Sequence, residues 1–152
     1  MEDYYAAFLR CAKDVEALHE QKRCIAAMHF GGVAIECLLK YMILTSLSEN
    51  ATKDWYDGTD KTKEYGHTIT NPGHDYDEAL NRHNKLSSYI KKKRRVHGWL
   101  LDVEKPDGHF IDMRYSNKEP EEKRYKEWMW KYRELMEWLQ TEGMEFIKHR
   151  RV

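Results

Sequence analysis

Proline is scarce in this chain, three residues in 152, and glycine is held to eight. So few backbone breakers exclude a collagen-like or low-complexity polypeptide and leave room for long helices. Cysteine is too sparse for a disulfide scaffold. Cys11, Cys24 and Cys37 are odd in number, lack any Cys-x-x-Cys spacing and fall on segments with helical periodicity. Reduced, buried thiols in a cytoplasmic protein are the expectation. An excess of one charge is missing too: 26 basic residues balance 26 acidic ones, so no global field selects nucleic acid or an anionic membrane. The opening residues MEDYYAAF are acidic and have no basic region of the kind that starts a signal peptide.

Long apolar runs are also lacking, with one exception, MHFGGVAIECLLKYMILTSL from Met28 to Leu47. Any core must form around it. Read as a helix, it is apolar nearly all round, so other helices must surround it. Its polar members His29, Glu36 and Lys40 are spaced seven and then four residues apart and share one stripe, which needs partners or faces a cleft. These interruptions leave the segment short of a membrane span, and no membrane partner is expected. Gly31-Gly32 costs helix propensity, about 1 kcal/mol per glycine, which predicts close approach by a neighbouring backbone. A mean hydropathy of −0.90 and 34% charged residues are offset by 12% aromatics, including five tryptophans. One ordered, all-α domain over residues 1–152 follows.

In chain order, Tyr5, Phe8, Leu9, Ala12, Val15 and His19 mark an amphipathic helix over about 3–20. The polar stretch His19 to Lys22 turns it into the apolar helix as an antiparallel hairpin. Residues 48–72 read as a long polar loop, with Trp55, Tyr56 and Tyr65 as candidates to pack down. Asp75 and Glu78 resemble a capping box opening a third helix that carries Tyr76, Leu80, His83, Leu86, Tyr89 and Ile90. Lys91 to Arg95 are five consecutive cations that no single helical face can bury, and Val96 to Leu101 continue the helix or form a second piece. Residues 102–119 read as irregular. Pro120 suits the first turn of a last helix with Tyr125, Trp128, Tyr132, Leu135, Leu139 and Phe146 in one stripe, weakened near its end by Gly143.

Ala27, Gly31, Glu36, Cys37, Leu39 and Lys40, then Gly73-His74 leading into Tyr76 and Leu80, then Arg114-Tyr115 ahead of an aromatic-rich final helix, form an ordered set. In this order the chain resembles the HEPN family (higher eukaryotes and prokaryotes nucleotide-binding) from the first hairpin to the last helix, outside the 48–72 loop. The resemblance implies a four- to five-helix up-and-down bundle that homodimerises. It also implies, in prokaryotes, pairing with a minimal nucleotidyltransferase as a toxin-antitoxin system. Active members of the family are metal-independent ribonucleases that use an Arg and a His four to six residues apart.

Glu36 and Lys40 are placed for an i,i+4 ion pair. Arg114 is expected to return to Glu36, because a guanidinium fork satisfies a carboxylate and would pin the 102–119 segment to the core. Lys40, Arg114 and Tyr115 would then border a cleft, the cations touching phosphate and the tyrosine stacking on a base. The bland alternative is a purely structural pairing. Arg23 and His29, with five residues between them, fit the ribonuclease spacing, His as proton carrier and Arg as stabiliser of the phosphorane. Ten arginines and eight histidines, however, yield one or two such pairs by chance. His67, His74 and His83 lack metal-ligand geometry, so no metal or other cofactor is expected, and His74 reads as a helix-entry cap. Trp130 is out of phase with Trp128 and marks a dimer or partner surface.

Three readings follow. The first is a non-catalytic HEPN-type module associated with nucleotide or RNA through Glu36, Lys40, Arg114 and Tyr115. The second is an endoribonuclease using Arg23 and His29, and the third an interaction protein without a ligand.

Overall fold

In a computed structural model, described here for residues 3–46, 55–56 and 69–150, seven α-helical segments build an all-α fold. They are α1 (Tyr4–Glu20), α2 (Cys24–Thr45), α3 (Tyr76–Leu80), α4 (Asn84–Lys92), α5 (Arg94–Glu104), α6 (Glu122–Trp138) and α7 (Met144–Lys148). A 3-10 helix spans Phe110–Tyr115, and a π-helical turn, Leu139–Gly143, joins α6 to α7. The only extended pairing among the described residues sets Trp55–Tyr56 parallel to Ile69–Thr70. Residues 47–54 and 57–68, with Tyr65 and His67, lie outside the described residues, as do the side chains at 55, 56, 69 and 70.

The hairpin of α1 and α2 forms as its periodicity predicts. Asp3 caps α1 by accepting the Ala6 amide at 2.9 Å, and Lys22, with φ of 58°, turns the chain into α2. Helix α2 is the hub: α1, α3, α5, α6 and the 3-10 helix all pack on it. Ala27, Ile35, Leu39, Met42 and Ile43 are buried at 0% exposure, as a helix apolar on all sides requires. By length and composition α2 could cross a membrane, contrary to the expectation from its polar interruptions, yet 78% of its apolar window is buried within the fold. Cys11 and Cys37 are buried and unpaired, and burial pushes the Cys37 thiol up to about 12.

Gly31 and Gly32 do admit close neighbours, but aromatic rings rather than a backbone. A Cβ on Gly31 would stand 2.6 Å from the Trp128 ring tip, and one on Gly32 would overlap the root of the Phe110 side chain. The third helical segment breaks into three. Asp75 caps α3 through the Glu78 amide at 3.1 Å, as expected, but His83 then opens α4 by accepting the Leu86 amide at 3.0 Å. The chain bends again at Lys93 (φ −90°, ψ 83°), which divides the five cations between two helices and leaves all five exposed. Residues 102–119 are less irregular than their sequence suggests, since α5 runs to Glu104 and the 3-10 helix follows. Pro120 precedes the Glu121 cap and so lies just outside α6. Ties across α6 fix its place: His19 Nδ1 meets the Tyr125 hydroxyl at 2.7 Å, Arg133 donates to Glu16 at 2.7 Å and Lys131 to Asp102 at 2.8 Å.

The glycine contacts set an expected order of stability. Alanine gains about 1 kcal/mol of helix propensity over glycine, but overpacking costs about 1–3 kcal/mol. Gly32→Ala meets the immobile root of Phe110 and should lower the melting temperature by several degrees in a circular-dichroism melt. Gly31→Ala meets only a ring tip and should lower it less; equal or reversed losses would contradict this packing.

Candidate functional site

The polar stripe of α2 finds its partners where the 72–76 and 104–115 segments cross it. Glu36 is buried and accepts from two sides: Lys40 Nζ at 3.1 Å on Oε2 and His74 Nδ1 at 2.6 Å on Oε1. Lys40 is only 3% exposed and its ammonium lies 5.6 Å from the Tyr4 ring centroid. A carboxylate and an ammonium so deeply placed are stable only with such complete partnering. His74, rather than Arg114, is therefore the residue that returns to Glu36, and it does so from the chain ahead of α3 instead of capping that helix. His74 makes this contact from the surface, its side chain half exposed while its Nδ1 is committed to Glu36.

A second buried carboxylate supports the same crossing. Glu104 Oε2 accepts the Tyr76 amide at 2.9 Å and lies 3.5 Å from His109 Nε2. His109 closes the circuit, with Nδ1 accepting the Ile111 amide at 3.2 Å and Nε2 lying 3.0 Å from the His74 carbonyl. The Tyr76 hydroxyl donates to the Gly32 carbonyl at 2.6 Å, and burial holds its pKa well above the usual range. Burial also raises the Glu104 carboxyl, with the Tyr76 amide pulling the other way. Glu104 and His109 carry no helical-stripe signature; an acid and a histidine flanking a Pro-Asp-Gly turn were the available signal.

Arg114 and Tyr115 end the 3-10 helix on its outer side. The Arg114 guanidinium carbon lies 4.8 Å from the Tyr115 ring centroid, and Tyr115 is 74% exposed. They are together as expected, but apart from Glu36 and Lys40, whose groups face each other inside the fold. Arg23 is exposed at the cap of α2, whereas half-buried His29 directs Nδ1 to the Phe110 carbonyl at 3.0 Å. Six residues along a helix place them about 9 Å apart in rise and about 120° round its axis. No group of three metal-binding side chains occurs among the described residues. Trp130 is 53% exposed and meets Trp99 edge-on at 5.8 Å. No protein-family model, curated protein or solved structure matches this chain.

Two outcomes test the crossing. Removing one partner of a buried pair costs about 3–5 kcal/mol, whereas replacing both with apolar groups costs little. Lys40→Ala should lose stability of that order in urea titration, and Lys40→Met with Glu36→Leu should recover most of it. The Glu104 carboxyl is raised in the folded state, so its contribution is full below the ordinary carboxylate range and lost as pH rises through the folded value. Glu104→Gln should therefore gain on the native chain between about pH 4 and about pH 7. Glu104→Ala, which orphans the Tyr76 amide, should lose about 1–3 kcal/mol at either pH.

Proposed function

We propose that this chain is a HEPN-type helical binding module, cytoplasmic and non-catalytic, that associates with nucleotide or RNA through Arg114 and Tyr115. The observation that carries the reading is the exposed guanidinium–tyrosine pair on a short helix whose other end, Phe110, is fully buried. A rigid platform holding one aromatic face and one cation in water suits a base and its phosphate, because stacking and charge act on adjacent parts of the ligand. Glu36 and Lys40 belong to the platform in this reading: both are buried and spend their charges on each other and on His74. Exposed Trp130 supports assembly, as a homodimer or with a nucleotidyltransferase partner. A ribonuclease built on Arg23 and His29 has less in its favour, since the two lie on different sides of α2.

Stacking on an aromatic side chain contributes about 1–3 kcal/mol per base. Titration of ATP and of a short RNA into the protein should show weaker binding in Tyr115→Ala by that margin and a shallower salt dependence in Arg114→Ala. Both variants should melt with the native chain because both side chains are exposed. Unchanged affinity in both, or no binding by the native protein, overturns the reading.

A further inference from the structure

The balanced total charge conceals a sharply one-sided stretch. From Ala79 to Leu101 the sequence holds seven cations and no acid. Arg82 pairs with Glu78, but Lys85 and the five residues from Lys91 to Arg95 form no ion pair among the described residues. Lys91 and Lys92 lie in the last turn of α4, where the helix dipole favours them. Arg94 and Arg95 lie in the first turn of α5, where it does not, and that turn contains no acid. Helix stability alone does not account for them.

The fold brings this stretch against the chain's end. His83, fully buried, caps α4 with Nδ1 and directs Nε2 to the Arg150 carbonyl at 3.0 Å, so the residues after α7 lie beside α4. Rings stack across that junction: Tyr89 and Phe146 lie 4.1 Å apart and 10° from parallel, with Trp138 5.7 Å beyond Tyr89. Cations cover the stack, Arg150 at 4.2 Å from the Phe146 centroid and Lys93 at 5.4 Å from that of Tyr89. A groove of about 380 Å³ runs along the α4 side, edged by Lys85, Lys92 and Arg150 and by no acid. The acids of this region, Glu142 and Glu145, line an adjoining pocket that shares Tyr89, Phe146 and Arg150 with the groove, and they bind the Trp138 indole and His149.

We propose that this groove binds a single-stranded nucleic acid, with phosphates on Lys85 and Lys92 at its edge and on Lys93 beyond it over Tyr89, and a base on the outer face of the Arg150 guanidinium. The inference rests on the reading that the chain handles nucleic acid, and adds a second contact and a strand as ligand. Cations spaced along a groove match a repeating phosphate backbone, and a guanidinium plane backed by an aromatic ring offers a stacking surface indifferent to base identity. A duplex would keep its bases inside and gain nothing from that surface. An anionic membrane would find no exposed apolar side chain on this face to insert.

Fluorescence anisotropy with labelled twelve-nucleotide oligo-U decides it. The native chain should bind with an affinity that falls steeply with salt. Lys85→Glu with Lys92→Glu and Lys93→Glu should weaken binding at least tenfold and flatten that slope, while the three Lys→Arg changes preserve it. Arg150→Ala should weaken binding less and leave the slope nearly as steep, once the loss of one charge is allowed for. All these side chains are exposed, so every variant should stay folded; the Lys→Arg and Arg150→Ala variants should melt with the native chain, and the charge-reversed one a few degrees lower because Lys92→Glu opposes the α4 dipole. Full affinity in the charge-reversed variant overturns the proposal, and if binding then fails in Arg114→Ala and Tyr115→Ala, the contact at the 3-10 helix stands alone. Loss in the charge-reversed variant with none in Arg114→Ala and Tyr115→Ala leaves the groove standing and overturns the other contact. Binding of phosphatidylserine vesicles without oligo-U binding overturns it as well.

Discussion

Phe110 seated against Gly32 is the contact on which the rest of the polar crossing depends. A side chain at position 32 would hold the 104–115 segment away from α2, since the ring root already occupies the space of a Cβ. With the ring in place, the backbone of Phe110 comes within reach of His29, and His109 within reach of the His74 carbonyl and Glu104. Tyr76, packed beside the same ring, then reaches the Gly32 carbonyl. One missing methyl group thus lets an apolar insertion assemble two buried carboxylates with their donors. That order matters energetically, because neither Glu36 nor Glu104 could remain buried without partners already positioned.

The central rod was legible because its signal is redundant. A helix apolar on every side leaves no choice of role, and α2 occupies the predicted hub with the first helix folded back on it. The neighbours of that rod were less legible. Glycine announces that something comes close without saying what, so an expected backbone turned out to be two rings. The stripe of His29, Glu36 and Lys40 announces a need for partners, and periodicity cannot choose among residues brought from afar. Arg114 offered the stronger charge, but His74 sits beside α3, whose docking on α2 fixes it within 2.6 Å of the carboxylate.

Breaks in the later helices were harder to read for a different reason. His83 fits a helical stripe and is not among the usual capping residues, yet its ring accepts the Leu86 amide as an asparagine would. The π-helical turn at Leu139–Gly143 moves the buried register on by one residue, so that Ile147 enters the core and Phe146, read as the end of the stripe, is only half-buried. The five cations did leave a trace in the pattern. No straight helix could bury a ring of charge, and the bend at Lys93 answers that constraint by ending one helix and starting another in water.

That bend also explains how a chain of zero net charge can carry a strong local field. Screening over about 8–10 Å at ordinary salt means a distant acid does little for a cation across the molecule. Only nearby charges count, and no acid lies on α4 or edges its groove, while Glu142 and Glu145 in the adjoining pocket already bind the Trp138 indole and His149. The His83 tie to Arg150 concentrates the field further by bringing a terminal cation to the same side. Composition averages over the whole surface, whereas a ligand meets one side of it. The neutrality that set aside a polyanion at the level of composition therefore does not bear on the groove along α4.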